Sequence, residues 1–302
     1  MDTKSTATDP ARPERAGEHG PEQGAATGRV GRAVRSPFGW MLIGVLGVGG
    51  VAGLTSGGEP GTASATVLPV LGAVVAVAVY WAVMRFVARR PTPELARGRA
   101  RREALLGGGI GLAFVLVSTL LIAAFGGYSF SWSGGGFLSV VAPMAAISLG
   151  AAVTEELMFR GLAVQALERL YGSRAALAIT ALLFGGLHLA NPGATLWSSL
   201  AIALEAGLLL GAAFLWRRSI WFVVGFHFAW NTAEGLLGIP VSGHASEGLL
   251  TTEVSGPVLL TGGGFGLEAS IVPVVVCVLL AVPMLVLAHR RGGLVPMRRA
   301  ER

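Results

Sequence analysis

The chain has 302 residues, of which 53% are hydrophobic and only 13% are charged, and its mean hydropathy is +0.65. An ordinary soluble domain carries about 25% charged residues, so this composition excludes most soluble folds. The net charge is +6, but the basic residues lie in short clusters between apolar runs, which favours the loops of a membrane protein over a nucleic-acid-binding surface. The single cysteine, Cys277, excludes an intrachain disulfide and a cysteine-based metal cluster.

The first 36 residues are polar and rich in Pro, Gly, Glu and Arg. They contain no apolar stretch, so they are not a signal peptide, and their composition predicts a disordered cytoplasmic tail. Residues 37–290 are predicted to form an all-α, polytopic transmembrane bundle, followed by a basic cytoplasmic tail at 291–302. Eight apolar segments within the bundle are long enough to cross a bilayer, at 38–56, 66–87, 104–125, 137–159, 174–190, 196–216, 219–239 and 269–289.

The loops between these segments alternate in charge. Arginines cluster after the second, fourth, sixth and eighth segments, whereas the opposite loops contain no Lys or Arg. Because Lys and Arg are enriched in cytoplasmic loops, this alternation predicts eight spans with both termini in the cytoplasm and a location in the cell membrane. The uncharged loops lie near 57–65, 126–136, 191–195 and 240–268, and the sequence does not decide what the last and longest of them does.

Ionisable side chains inside the spans are the main functional candidates, because each one costs about 2.5–3.5 kcal/mol to insert. Glu205, on the sixth segment, has no chemical partner nearby in the sequence and is interpreted as structural or cavity-lining. The remaining polar and aromatic candidates are Glu155, Glu156 and Arg160 on the fourth segment, Phe184 and His188 on the fifth, and His227 and Asn231 on the seventh.

Helical spacing divides the fourth-segment residues into two roles. Glu156 and Arg160 are four residues apart with the acid first, which favours an ion pair along one helix face. Glu155 points about 100° away from Glu156 and is therefore less compensated, which suits a general base. The spacing predicts one carboxylate that acts and one that is held in place.

His227 and Asn231 are also four residues apart, so both side chains project from one helix face and can donate hydrogen bonds to a developing oxyanion. Phe184 has the same spacing to His188 and is predicted to pack beside its ring. Counted at about 1.5 Å per residue from the nearest arginines, the polar groups of the three spans lie at a similar depth, roughly 20 Å along each helix. The sequence therefore predicts one buried layer in which water is activated.

These residues form three motifs, EExxxR at 155–160, FxxxH at 184–188 and HxxxN at 227–231. In this order and on successive spans they resemble the CPBP family of intramembrane proteases, also called the Abi or CAAX-protease family, over about 137–242. The resemblance implies an endopeptidase, with type II CAAX prenyl endopeptidases and bacterial self-immunity proteins among its relatives. It also implies that Glu155 and His188 activate water, that His227 and Asn231 hold the oxyanion, and that Glu156 with Arg160 orients Glu155.

Two mechanisms remain open at this point. Glu155, His188 and His227 could bind a catalytic zinc ion, which takes such ligand sets. However, the HExxH pattern of many zinc proteases is absent, so a metal-free glutamic mechanism without a cofactor is favoured. The expected substrate is a membrane-embedded or lipidated polypeptide, and no nucleic-acid partner is expected.

Two other classes of function use the same residues differently. A proton-coupled transporter could use the intramembrane carboxylates as a relay, although the sequence has no evident internal repeat of the kind that many transporters have. A non-catalytic immunity or scaffold protein could keep the fold without the chemistry. Substitution of Glu155 and His188 separates these alternatives from the protease.

Overall fold

The computed structural model describes residues 21–56, 58, 61–245 and 247–297, with side chains from residue 28 onward. Helices dominate it, and a single pair of short strands is present in these residues. A long helical stretch at 137–190 contains α5 and α6. The main elements outside it are α1 (Pro21–Arg35), α2 (Pro37–Thr55), α3 (Ser64–Val87), α4 (Arg97–Ala124), β1 (Tyr128–Trp132), α7 (Leu196–Arg217), α8 (Ile220–Leu236), β2 (Leu250–Val254) and α9 (Ile271–Arg290).

The central stretch, Phe137–Ala190, is 54 residues long and consists of two helical parts separated by a sharp bend at Gly172. Gly172 has φ 79° and ψ 165°, a conformation that only glycine adopts without strain. We name the part before this bend α5 (137–171) and the part after it α6 (173–190). The bend reverses the chain between the predicted fourth and fifth spans.

All eight predicted apolar segments are helical, and the fold is the predicted helical bundle. Six helices among the described residues are long and apolar enough to cross a membrane, with α5 and α6 counted together as one of them. α8, the predicted seventh span, has 17 residues. The count of eight spans and the cytoplasmic position of both termini stay predictions.

The predicted disordered tail differs from the structure in one part. α1 covers Pro21–Arg35, where several alanines and arginines favour helix despite the polar composition. Residues 1–20 and 298–302 lie outside the described residues. Ser36 then separates α1 from α2 by accepting a hydrogen bond from the Gly39 backbone amide at 3.0 Å, with Pro37 at the first helical position.

α4 and α8 pack closely because glycines line their contact. A Cβ atom on Gly107 would lie 1.9 Å from the carbonyl oxygen of Phe222, and one on Gly225 would lie 2.2 Å from that of Ala104. Small residues of this kind allow two backbones to approach in a membrane bundle, where burial from water does not drive association. This packing fixes α8, which carries two of the predicted site residues.

One end of the bundle, here called the arginine end, is held by ion pairs between helices. Arg217 binds both carboxylate oxygens of Glu103 at 2.9 and 2.5 Å, and Arg218 binds those of Glu168 at 2.6 and 2.7 Å. In the connection after α3, Arg90 pairs with Glu94 at 2.9 Å and also donates to Gln165 on α5 at 2.9 Å. The arginine-rich connections predicted to be cytoplasmic therefore meet at the same end.

The opposite end is covered by the connections that lack Lys and Arg, here called the cap. β1 pairs antiparallel with β2, from Tyr128 opposite Val254 to Trp132 opposite Leu250. The Trp197 indole donates to the carbonyl oxygen of Ala269 at 2.8 Å. The predicted 240–268 loop belongs to this cap, so its residues are held against the ends of the helices.

Candidate active site

Glu156 is fully buried and lies at the centre of a charged network. Its Oε1 atom accepts hydrogen bonds from Arg160 Nη1 and from His227 Nδ1, both at 2.9 Å. The predicted pairing of Glu156 with Arg160 is present in the structure, and the contact to His227 adds a second helix to it. The network therefore joins α5 to α8 at the level of the motifs.

Arg160 is also almost fully buried, at 1% exposed. Its second guanidinium nitrogen donates to the carbonyl oxygens of Ala206 and Gly207 on α7. Both partners of this contact lie in π-helical segments, Leu157–Val164 and Ala203–Leu209, and such widened turns are frequent at functional sites. Arg160 thus links Glu156 to a third helix.

Glu155 differs from its neighbour as the helical geometry predicts. Its side chain is 29% exposed, whereas that of Glu156 is 0% exposed. Glu155 Oε2 lies 4.0 Å from His227 Nε2, on the other side of the imidazole from Glu156. His227 therefore lies between the two carboxyl groups, one held and one facing the cavity.

The two histidines are each fixed through Nδ1. His188 Nδ1 lies 2.7 Å from the carbonyl oxygen of Phe184, to which it donates, and the two rings stack with centroids 4.7 Å apart. His227 Nδ1 donates to Glu156 in the same way. A hydrogen bond at one ring nitrogen sets the tautomer of the other. Nε2 of each ring is thereby left for the cavity.

Phe184 connects the histidine of α6 to the network on α5. The Arg160 guanidinium lies 5.1 Å from its ring centroid, a cation–π distance. The Phe159 ring packs against the same residue edge-on, with centroids 4.8 Å apart. The predicted packing of Phe184 beside His188 is present, and the ring contacts a charged group as well.

Glu155, His188, His227 and Asn231 all line one cavity of about 690 Å³. Glu155 and His188 lie on the wall of this cavity from different helices, and no ion pair joins them in the described part of the chain. The Asn231 carboxamide has no hydrogen-bond partner among the described residues and is free to bind a ligand. The structure thus brings the four candidates together around one space.

The cavity also has a wall that the sequence did not predict. Val241, Ser242, His244 and Ala245 line it, and they belong to the loop whose role the sequence left open. Asn191 Nδ2 donates to the carbonyl oxygen of Ser242 at 3.0 Å, which ties this loop to the end of α6. These residues lie in a loop, so the sequence around them has no helical or strand periodicity from which their position could be predicted.

A second pair of carboxyl groups lies beside the cavity. Glu234 is fully buried and accepts hydrogen bonds from the Trp230 indole and the Leu267 amide, both at 3.0 Å. Glu268 lines the cavity and accepts from the backbone amide and hydroxyl of Ser242, and burial raises the pKa of its carboxyl group. Sequence reasoning missed both, although Trp230 and Glu234 have the same four-residue spacing as the motifs.

Glu205 is fully buried, and neither carboxyl oxygen has a hydrogen-bond partner among the described residues. It is not part of the cavity wall in that part of the chain, so the structural interpretation fits it better than the cavity-lining one. Cys277 contacts the same segment, with its thiol 2.9 Å from the Leu204 carbonyl oxygen.

A catalytic zinc site requires three ligand side chains that converge on one point. Among the described residues, no three His, Cys, Asp or Glu side chains converge closely enough to hold a metal ion. Glu155, His188 and His227 share the cavity wall without forming such a set. The choice between a glutamic and a metal-dependent mechanism stays a prediction.

Comparison with known proteins bears on the same segment of the chain. No curated protein and no solved structure matches it. A family model described as type II CAAX prenyl endopeptidase Rce1-like matches residues 137–233, which include all three motifs. The matched model describes a family of proteases. Together with the six helices that are long and apolar enough to cross a membrane, the match indicates a multi-pass membrane protein. The resemblance predicted from the motifs is confirmed over residues 137–233, which match the Rce1-like family model.

Proposed function

We propose that this protein is an intramembrane endopeptidase that hydrolyses a peptide bond with water activated by Glu155 and His188. The observation that carries the proposal is the convergence of Glu155, His188, His227 and Asn231 on one cavity of about 690 Å³. A cavity of this size is within the range of ligand sites and accommodates an extended peptide segment together with water. The family match supports the reaction class.

Water is activated in the gap between α5 and α6. The ionised Glu155 carboxylate accepts one hydrogen bond from the water, and Nε2 of neutral His188 accepts the other, because the proton of that ring lies on Nδ1. Glu155 removes a proton as the water oxygen bonds to the scissile carbonyl carbon. General-base assistance of this kind contributes about 10²–10⁴-fold in rate.

The negative charge that develops on the carbonyl oxygen is stabilised from α8. Asn231 donates through its carboxamide NH₂, and His227 donates through Nε2. Because Nδ1 of His227 already donates to Glu156, donation from Nε2 requires the imidazolium form. The carboxylates on either side of the ring supply the compensating charge.

The reaction is completed by return of the proton. The tetrahedral intermediate collapses with cleavage of the C–N bond, and Glu155 transfers the proton it took from water to the leaving amine. The two products are a carboxylic acid, which retains the second proton of the water, and an amine, and together they contain the atoms of the peptide bond and of the one water consumed. Glu156 and Arg160 do not exchange protons in this scheme, since their role is to hold His227 and the α5 backbone in position.

The test compares membranes that contain the wild-type protein with membranes that contain Glu155→Gln. Newly formed peptide termini are identified by proteomics, and the cleavage rate of the leading candidate is then measured with purified protein. We expect a loss of at least about 100-fold in Glu155→Gln, the lower limit for loss of a general base. The matched control is Glu247→Gln, the same substitution at an exposed glutamate outside the cavity, which should cleave normally.

Two outcomes would contradict the proposal. Equal cleavage by Glu155→Gln and wild type would remove the glutamate from the mechanism. A proton-driven flux in proteoliposomes that depends on Glu155, without any cleavage, would favour a transporter. We place the protein in the cell membrane, with a membrane-embedded or lipidated polypeptide as substrate.

A further inference from the structure

A second groove lies on the outside of the bundle, apart from the cavity at Glu155. It has a volume of about 430 Å³ and is formed by α6, α7, α9 and the segment that follows α9. Among the described residues, it shares no lining residue with the Glu155 cavity. Its volume is within the range of ligand sites, and the proposed hydrolysis does not use it.

The floor of this groove is apolar and belongs to α7, which lies between the other two helices. A Cβ on Gly211 of α7 would lie 2.3 Å from a methyl carbon of Leu177 on α6, and the Cys277 thiol of α9 lies 2.9 Å from an α7 carbonyl oxygen. Leu208 and Leu215 of α7 line the groove, and Leu215 is 1% exposed. The groove therefore presents a hydrocarbon surface between α6 and α9.

Basic residues line the groove at one end only. On α6, Arg174 is followed after four residues by Ala178, and on α9, which runs in the opposite direction, Val286 is followed after four residues by Arg290. Residues four apart lie on one helix face. Both helices therefore place a small or apolar side chain in the groove and an arginine at the arginine end, where His289 adds an imidazole.

These three basic side chains have no partner in the described part of the chain. Arg174, His289 and Arg290 are exposed, and none of them forms an ion pair or a side-chain hydrogen bond with a described residue. Arg217 and Arg218, at the same end of the bundle, are instead paired with carboxylates. No Asp or Glu among the described residues lines the groove, so its mouth carries positive charge that these residues leave uncompensated.

The segment after α9 fixes the arginine end of the groove. It returns to the start of α6, where the Ser173 amide donates to the Val295 carbonyl oxygen at 2.9 Å and the Val295 amide donates to the Ser173 hydroxyl at 2.8 Å. Leu294 of this segment lines the groove. These contacts tie the end of α9 to the start of α6, and so hold Arg174 and Arg290 beside one groove.

The groove is open along its side. Val286 is 43% exposed, and the residues four positions deeper than Ala178 and Val286 on the same helix faces, Leu182 and Val282, are 65% and 54% exposed. Exposed apolar surface of this kind marks a site of contact with a membrane or another apolar partner. An arginine at the end of a span extends its charged group into the headgroup layer. An apolar groove with arginines at that level matches the two parts of a phospholipid.

We propose that this groove binds one anionic phospholipid, with an acyl chain on α7 between α6 and α9 and the phosphate group beside Arg174, His289 and Arg290. Basic pockets between spans bind anionic headgroups, and arginine forms bidentate hydrogen bonds with phosphate. The unpaired positive charge selects an anionic lipid, because a zwitterionic headgroup brings a cation of its own. The site is separate from the proposed catalysis and does not depend on it.

The experiment measures lipid binding by the purified, delipidated full chain in a neutral detergent. Phosphatidylglycerol and phosphatidylcholine with identical acyl chains are titrated, and native mass spectrometry gives the Kd of the first bound lipid. The groove variant combines Arg174→Gln with Arg290→Gln. The matched control combines Arg97→Gln with Arg101→Gln, which removes the same charge from exposed positions of the arginine end outside the groove.

We expect the wild-type protein to prefer phosphatidylglycerol and the groove variant to bind it at least tenfold more weakly, since each basic residue near the headgroup contributes about fivefold in affinity. The control should bind phosphatidylglycerol within about twofold of wild type. Equal affinity of the wild-type protein for the two lipids would overturn the proposal, as would equal weakening in the groove variant and the control.

A second substitution tests the acyl chain without changing any charge. Ala178→Phe fills the groove, whereas Ile179→Phe enlarges a neighbouring side chain that is 38% exposed and does not line it. We expect at least a fivefold loss of phosphatidylglycerol affinity in Ala178→Phe alone, and equal affinities of the two variants would contradict the placement of the chain. Displacement of the lipid by millimolar glycerol phosphate would assign the arginines to a soluble phosphate, and a dimer that Ala178→Phe dissociates would assign the groove to a second copy.

Discussion

Replacing Glu156 by glutamine removes the charge of this side chain and keeps its shape. We expect this change to destabilise the protein. In Glu156→Gln the amide oxygen still accepts from Arg160 and His227, but the arginine, with a side chain 2% exposed, loses its counter-charge. Removing one partner of a buried ion pair lowers the free energy of unfolding by about 3–5 kcal/mol. Because Arg160 keeps two backbone carbonyl acceptors on α7, we expect the lower end, about 3 kcal/mol.

Such a loss corresponds to a fall in the unfolding midpoint of roughly 6–12 °C for a chain of this size. The midpoint is measured by intrinsic tryptophan fluorescence of the purified protein in detergent during heating. Glu247→Gln, at an exposed position, is the matched control and should leave the midpoint unchanged.

A double variant separates stability from activity. Glu156→Leu combined with Arg160→Met removes both charges, and apolar replacement of a buried pair is often neutral or stabilising. The double variant should therefore be more stable than Glu156→Gln yet remain inactive, because His227 has lost the carboxylate that fixes Nδ1. A midpoint for Glu156→Gln within 1 °C of wild type, or a double variant as unstable as the single one, would refute the reasoning.

Three further predictions concern the cavity. Asn231→Ala should lower kcat about 10²–10³-fold with little change in KM, as expected for loss of an oxyanion donor; an effect on KM alone would assign Asn231 to substrate binding. Burial raises the pKa of Glu268, so the folded state binds this carboxyl proton more tightly than the unfolded state does. The protonated Glu268 carboxyl therefore contributes its full stability below the pKa of an unfolded glutamate, and this contribution is lost as the pH rises through the folded pKa. Glu268→Gln should flatten this decline in the unfolding midpoint, and an unchanged slope would contradict it. Chelator treatment followed by gel filtration should leave cleavage intact, whereas a loss restored by zinc would establish a metalloenzyme.

The features that could be predicted from the sequence are those that depend on local spacing and on the thickness of a bilayer. The apolar segments are helical because their length and composition leave the backbone no other way to satisfy its hydrogen bonds in lipid. The Glu156–Arg160 pair and the Phe184–His188 stack follow from the four-residue period of a helix. Each of these patterns involves residues that are only a few positions apart in the sequence.

The features that could not be predicted depend on which distant segments meet. The contact of Glu156 with His227 spans 71 residues, and spacing alone assigned His227 only to the oxyanion. The pairing of β1 with β2 and the position of Ser242 on the cavity wall depend on how the cap folds over the helix ends. Glu234 was within reach of spacing arguments, but Glu268, the other carboxyl group described beside the cavity, lies in a connection without periodicity.

The π-helical turn at Ala203–Leu209 has a consequence for how this helix can change in length. A widened turn of this kind accommodates about one residue more than an α-helical path over the same distance, and here it presents the Ala206 and Gly207 carbonyls to Arg160. Deleting one residue from the turn would restore a regular helix but rotate everything on one side of it by about 100°. Homologues should therefore keep the number of residues in this helix constant. Insertions between the second and third motifs should fall in the connections at either end of the helix.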